Sequence, residues 1–184
     1  MREITYNARK NGQVMTTENA IQIKLAETVL RQGELKLQAQ LSIALAADSR
    51  AGSFASLFMT LALVSFGAAG ALWKLGAGWV SLLVGACVET LLLLICAYWC
   101  VEAASPVNFY TVGNRPNNWW EDGVSNKPLE ECLKKESENY NRRIEHNSEV
   151  LNGNARAFNY ALWGGILSPV VSGTVAVLVR TCLV

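Results

Sequence analysis

The segment VGACVETLLLLICAYWC, residues 84–100, places one carboxylic acid, Glu89, in the middle of an apolar run. A charged acid at mid-bilayer costs about 2.5–3.5 kcal/mol on insertion scales, so such residues usually face a bundle interior or a water-filled path. Two kinds of chemistry fit this residue. It could be neutral when dry and ionised when wetted, which would gate ions, or it could be a neutral group that joins helices by hydrogen bonding.

The partners of Glu89 are expected to be hydroxyl groups. The nearest bases, Arg50 and Lys74, fall near the two ends of the first predicted span rather than at the depth of Glu89. We therefore predict a contact with Ser65 or Thr60 on that span, or with Glu89 of a second copy.

Other chemistry-bearing residues do not form a catalytic or metal-binding pattern. The only histidine is His146, and the five cysteines show no CxxC pair. No glycine-rich phosphate loop, GxSxG or HExxH motif is present, so we predict no catalytic residue, no metal, no cofactor and no enzyme activity. The net charge of +1 predicts no nucleic-acid partner.

Two long stretches of the sequence carry almost no charge, and Glu89 lies in the first of them. Between residues 51 and 101 only Lys74 and Glu89 are charged, and between 157 and 179 no residue is. About 20 apolar helical residues cross a bilayer. This predicts three spans, at 54–73, 79–101 and 158–180, the first two forming a transmembrane hairpin within 53–102. The fold class is therefore an all-α integral membrane protein with three transmembrane helices and a cytoplasmic helical stalk.

Basic residues predict the orientation. Six lie near the membrane ends on one side (Lys36, Arg50, Arg115, Arg142, Arg143, Arg156), against only Lys74 and Arg180 on the other. The positive-inside rule then places the N-terminus in the cytoplasm and the C-terminus outside a bacterial inner membrane. Tryptophans indicate both interfaces: Trp73 and Trp79 flank the outer hairpin, whereas Trp99 and Trp163 fall toward the inner ends.

Two amphipathic helices are expected to form the stalk. The first covers 16–52, where apolar residues recur every seven positions; the second covers 128–157, starts after Pro128 with two acids, and leads into the third span. Both run toward the membrane, so we predict a parallel pair. Residues 1–15 show no pattern, so we expect them to be disordered, and Met15 is an alternative start.

Residues 103–127 form a cytoplasmic or interfacial loop, because their prolines and glycines preclude a regular helix. Its aromatic residues include Phe109, Tyr110, Trp119 and Trp120. Either the loop is a packed connector, or it is a ligand pocket or docking segment.

The third span carries a small residue at every fourth position: Gly164, Ser168, Ser172 and Ala176. Such a stripe lets two helix backbones approach closely. We predict a homo-oligomer held by this face and by the stalk, since one chain offers each apolar stripe a single partner helix.

The block AADSRAG at the mouth of the first span, with Asp48, Arg50 and Ala51, resembles the Asp-x-Arg/Lys-Ala motif of transmembrane effectors in cyclic-nucleotide (Pycsar-type) anti-phage systems. The resemblance covers roughly residues 35–101 and implies a membrane-disrupting activity. No second-messenger-binding motif accompanies it. From charge alone, Asp48 and Arg50 are interpreted equally well without this resemblance, as a topology anchor and local ion pair at the interface. The third span and the segment FYTVGNRPNNWW are similar to small bacterial membrane proteins of unknown function.

Three functions follow from these features. The first is an oligomeric effector that perturbs the bilayer under the control of a cytoplasmic protein or small-molecule signal. The second is a passive anchor that holds a cytoplasmic partner at the membrane. The third is a small transporter subunit, although three spans provide no inverted repeat. Glu89 favours the first, because an anchor needs no acid in its spans.

Overall fold

A computed structural model describes residues 2–105, 108–113 and 129–183 of the chain. Three α-helices occur in these ranges: α1 (Arg2–Leu75), α2 (Val80–Ala103) and α3 (Leu129–Leu183), with a 3₁₀ turn at Ala77–Trp79 between the first two. Each α-helix is long and apolar enough to cross a membrane. The predicted all-helical class with three candidate spans is therefore confirmed.

Helix α1 begins much earlier than the sequence pattern indicated. We expected disorder over residues 1–15, but in the structure the helix begins at Arg2. Disorder was expected because these residues show no apolar repeat. They contain no proline, however, so nothing stops the helix of the amphipathic region from extending back through them. The helix ends at Leu75 and is followed by Gly76, whose φ of +90° suits glycine. Its carbonyl oxygen accepts a hydrogen bond from the Trp79 N–H at 3.2 Å.

Helix α3 is a single element of 55 residues. Glu130 and Glu131 lie in its first turn, where acids favour the positive end of the helix dipole. The helix continues through Asn152, Gly153 and Asn154 and also contains Pro169. Pro128 and most of the predicted loop, including Trp119 and Trp120, lie outside the described residues.

The chain divides into two compact units, and α1 and α3 contribute to both. The first unit comprises Met1–Ser42 and Phe109–Ser148. Its core is formed by Leu37, Tyr140 and Ile144, with Leu30 packed against them. Contacts advance together along the two helices, from Gly33 with Tyr140 to Gln40 with Ile144, so the pair is parallel.

Gln40 crosses the helix pair of the first unit. Its Nε2 donates to the Ile144 carbonyl oxygen at 3.1 Å and to Ser148 Oγ at 2.9 Å. The side chain is almost fully buried, so these bonds replace the water that the amide nitrogen loses on burial, whereas Oε1 has no hydrogen-bond partner among the described residues.

The second unit comprises Ile43–Asn108 and Glu149–Val184 and packs all three helices together. Helix α2 runs antiparallel to α3, because Gly85 lies beside Ala176 whereas Trp99 lies beside Tyr160. The core contains the following residues: Phe58, Ala62, Leu93, Cys96, Ala97, Cys100 and Ala161. Small core residues allow the helices to approach closely.

The outer surface of the second unit is strongly apolar. Phe66, Leu91 and Val170, one on each helix, are 61–67% exposed. Soluble monomers rarely expose continuous apolar surfaces of this kind, whereas lipid-facing helices do. The surface therefore supports the assignment to a membrane.

Candidate functional site

Glu89 lies between α2 and α3 of one chain. Its Oε1 accepts a hydrogen bond from the Ser168 hydroxyl at 2.8 Å, and Ser168 is only 1% exposed. The other carboxyl oxygen, Oε2, is buried and has no hydrogen-bond partner among the described residues. The acid therefore points into the helix unit, with one oxygen bonded and one unsatisfied.

The two first-span hydroxyls that we predicted as partners, those of Ser65 and Thr60, do not bond Glu89, whereas a contact with Glu89 of a second copy stays a prediction. The Ser65 hydroxyl donates instead to the Ala86 carbonyl oxygen on α2, at 3.2 Å, and Thr60 donates to Ser56 of its own helix. Which hydroxyl reaches Glu89 depends on the register between helices, and this register places Ser168 rather than a first-span residue opposite it.

Pro169 leaves the Ser168 hydroxyl with two possible acceptors, the Glu89 carboxyl group and the Gly165 carbonyl oxygen. Ser168 Oγ also lies 3.1 Å from the Gly165 carbonyl oxygen, which lacks its usual donor four residues later because Pro169 has no N–H. A hydroxyl carries a single proton and cannot fully serve both acceptors. A neutral Glu89 resolves this, because its O–H can donate to Ser168 while Ser168 donates to Gly165. An ionised Glu89 leaves one acceptor short.

The small-residue face of the third span packs against α2 of the same chain. A Cβ added to Gly164 would lie 2.8 Å from Cys96 Sγ, and one added to Gly85 would lie 3.0 Å from Ala176 Cβ and 3.2 Å from the Ser172 carbonyl oxygen. Ser172 and Ala176 are both buried. We predicted that this face joins copies of the protein. Instead α2 of the same chain covers it, because Gly85 of α2 packs closely against Ser172 and Ala176.

Asp48 and Arg50 do not form the local ion pair that we considered. The Arg50 Nε donates to the Ala46 carbonyl oxygen at 3.3 Å, and Arg50 is exposed whereas Asp48 is half-buried. Residues two positions apart on a helix do not face each other, which explains the missing pair. The topology-anchor interpretation stays a prediction.

The four tryptophans predicted at interfaces are all exposed, with Trp73 at 75%, Trp79 at 46%, Trp99 at 38% and Trp163 at 63%. Trp73 and Trp79 lie at the hairpin between α1 and α2. Trp99 packs edge-to-face on Tyr160 with ring centroids 6.0 Å apart. Their assignment to membrane interfaces stays a prediction.

Asn147 is a structural residue that the sequence reasoning missed. It is fully buried in the first unit; its Oδ1 accepts from the Tyr110 N–H and its Nδ2 donates to the Tyr110 carbonyl oxygen, both at 2.9 Å. Arg143 donates to the Gly113 carbonyl oxygen at 2.9 Å. The His146 ring packs edge-to-face on Tyr110. The described part of the loop is therefore a connector bonded to α3, and a ligand pocket or docking segment in the loop stays a prediction.

Tyr140 lies beside this connector. Burial raises the pKa of its phenol, and the nearby carboxylates of Glu34 and Glu136 raise it further, whereas the Gly113 backbone and Arg143 act in the opposite direction. The phenol therefore stays neutral at physiological pH and contributes packing rather than charge.

Metal and redox sites are not indicated in the described parts of the chain. No group of three His, Cys, Asp or Glu side chains among them could hold a metal ion. The five cysteines are free thiols, with Cys96, Cys100 and Cys132 buried. Compared with protein-family models, curated proteins and solved structures, the chain matches none of them.

Proposed function

We propose that the protein is a non-enzymatic, oligomeric protein of the bacterial inner membrane that perturbs the bilayer and is controlled through a cytoplasmic helical stalk. In this proposal the second unit spans the membrane three times, with the N-terminus inside and the C-terminus outside. A cytoplasmic protein or a small-molecule signal acts on the stalk.

The observation that carries this proposal is the contact between Glu89 and Ser168. A carboxyl group in an apolar segment is costly, and such residues usually belong to a functional site rather than to a plain anchor. In this proposal Glu89 is neutral at rest, so that its O–H donates to Ser168 Oγ while Ser168 donates to the Gly165 carbonyl oxygen; these atoms lie 2.8 and 3.1 Å apart. Ionisation removes the proton on which this arrangement depends, so wetting of Glu89 and loosening of the contact between α2 and α3 are coupled.

The first span supports an oligomer better than the third. Gly52, Ser56 and Thr60 follow one another at every fourth position of α1 and are exposed, and no side chain lies within 4 Å of a Cβ added to Gly52. Gly67 and Ala71 repeat the spacing farther along. Such uncovered small residues favour close approach of another helix. Exclusively monomeric protein after cross-linking in native membranes would contradict this part of the proposal.

A passive anchor is the second candidate, and one observation favours it. Glu89 bonds to a residue of its own chain rather than facing outward, as expected of a neutral acid that only joins two helices. The two functions differ in whether Glu89 must ionise.

Glu89→Gln separates these functions, because glutamine keeps the hydrogen-bonding shape but has no ionisable proton. We expect liposomes that contain the wild-type protein to leak ions. Glu89→Gln should reduce the rate of ion leakage at least tenfold without changing assembly of the protein. Thr90→Val is the matched control: the adjacent hydroxyl bonds only the Ala86 carbonyl of its own helix, so leakage should be unchanged.

The anchor is correct if Glu89→Gln leaves leakage and toxicity in cells unchanged while Glu89→Leu disrupts assembly. A wild-type protein that never leaks, even when its stalk is cross-linked or truncated, would also contradict the membrane-perturbing function.

A further inference from the structure

A pocket in the second unit brings together residues that the sequence kept apart. Its volume is about 410 Å³, and α1, α3 and the last residue of α2 form its walls. The polar lining consists of Arg50 from α1 and three carboxamides from α3, those of Asn152, Asn154 and Asn159. The volume falls within the range of about 300–1,000 Å³ typical of small-molecule sites.

The charge in this pocket has one sign. Among the described residues that line it, Arg50 is the single charged one, and none carries a carboxylate. Its hydrogen bond to the Ala46 carbonyl oxygen uses Nε. Within the described residues, the terminal guanidinium nitrogens and the three carboxamides make no hydrogen bond to protein. The pocket therefore presents several uncommitted N–H donors around one cation.

The remaining walls are apolar, with Ile43 and Ala47 on α1 and Leu151 and Phe158 on α3. A ligand that fits must combine an anionic head with an apolar body. Guanidinium and amide N–H groups match the oxygens of a phosphate ester, which arginine binds in a bidentate manner.

The sequence at this place gives independent support. Asn152, Gly153 and Asn154 are poor helix formers in the middle of a long helix, which is a local conflict of the kind found at functional sites. No side chain lies within 4 Å of a Cβ added to Gly153. Packing therefore does not require the glycine.

We propose that this pocket binds a phosphate ester attached to an apolar group, the headgroup of an acidic phospholipid. The site lies at the predicted cytoplasmic ends of the first and third spans, where the inner leaflet supplies such headgroups. A soluble phosphate ester has the same chemistry, so the test includes both sources. The proposal is independent of the role of Glu89.

The test measures lipid binding to the full-length protein in neutral detergent by native mass spectrometry, with phosphatidylglycerol and phosphatidylcholine compared at equal concentration. Adenosine monophosphate serves as the soluble competitor. We expect phosphatidylglycerol to be preferred, and Arg50→Gln to weaken its binding about ten- to hundredfold, as loss of charge-assisted hydrogen bonds does. The matched control is Arg156→Gln, an exposed arginine of α3 that does not line the pocket.

Two further variants show whether the loss of lipid binding in Arg50→Gln comes from the pocket rather than from misfolding. Asn154→Ala with Asn159→Ala keeps the charge and should weaken binding several-fold, and Glu89→Gln should leave binding unchanged. Displacement of lipid by adenosine monophosphate assigns the pocket to a soluble ester. Equal binding of the two lipids, or equal loss in Arg50→Gln and Arg156→Gln, overturns the proposal.

Discussion

Two polar side chains of α3, Asn147 and Ser168, are almost fully buried, and each bonds a group on another segment. Asn147 accepts a hydrogen bond from the Tyr110 N–H and donates one to the Tyr110 carbonyl oxygen, and Ser168 donates one to a carboxyl oxygen of Glu89. A buried polar group left without its partner costs about 1–3 kcal/mol. Each residue therefore fixes the position of the segment to which it bonds, which an apolar side chain of equal size could not do.

Asn147→Ala should release the connector at Tyr110, because the bonds to both the N–H and the carbonyl oxygen of Tyr110 are lost. We expect the first unit to lose about 1–3 kcal/mol of stability and residues 108–113 to become sensitive to protease. Limited proteolysis followed by mass spectrometry measures this. Asn141→Ala is the control, since Asn141 is exposed on the same helix. Equal cleavage of the two variants would show that Asn147 does not hold the connector.

At this scale the sequence predicted the unusual residue but not its partner. Glu89 is conspicuous because its neighbours are apolar, which is a local property. Ser168 lies 79 positions away, and only the packing of α3 on α2 brings it near. Asn147 carried a signal that we overlooked: it follows Tyr140 by seven residues and so falls on the apolar stripe of its helix. A polar residue in that position indicates a buried hydrogen bond.

At the scale of elements, the glycines of α3 decide how closely the helices of the second unit approach. A Cβ on Gly165 would lie 2.3 and 2.6 Å from two ring atoms of Phe58, which is 6% exposed. Gly67 on α1 has no side chain within 4 Å of the same position. The two glycines thus have different roles, although both lie in apolar helices.

Gly165→Ala should destabilise the helix packing, because the buried Phe58 ring cannot move aside without losing its own contacts. We expect a loss of about 1–3 kcal/mol, the usual cost of overpacking. Gly67→Ala should be neutral or slightly stabilising, since alanine is the better helix former. Thermal denaturation of the detergent-solubilised variants measures both effects. Equal melting temperatures for the two variants would show that Phe58 accommodates the methyl group.

The sequence was sufficient to predict that the helices exist, but not where each helix begins or which helix packs against which. The apolar runs and the acids after Pro128 indicated α2 and α3, because hydropathy and dipole preferences act over a few residues. The first turns of α1 carry neither signal. The face at Gly164 and Ser168 was recognised as an association surface, but its spacing is equally compatible with a helix of the same chain and one of another copy.

At the scale of the whole molecule, the basic residues predict the topology, and reporter fusions test it. Fusions at Val184 and in the hairpin at 76–78 should report a periplasmic location, and a fusion near Asn126 a cytoplasmic one, because six basic residues flank one side and two the other. A cytoplasmic reporter signal at Val184 would contradict the three-span topology. Exchanging Lys74 for glutamine should leave the pattern unchanged.

The pairing of α1 with α3 also determines when the first unit can form. Gln40 bonds to Ile144, which follows it by 104 residues. At about 5–20 residues per second, a ribosome needs roughly 5–20 s to make that stretch. Throughout this time Leu30 and Leu37 have no α3 to cover them, while the apolar second half of α1 and then α2 leave the exit tunnel. The nascent chain is thus most prone to aggregation midway through its synthesis, and a pause in translation before α3 would prolong that exposure.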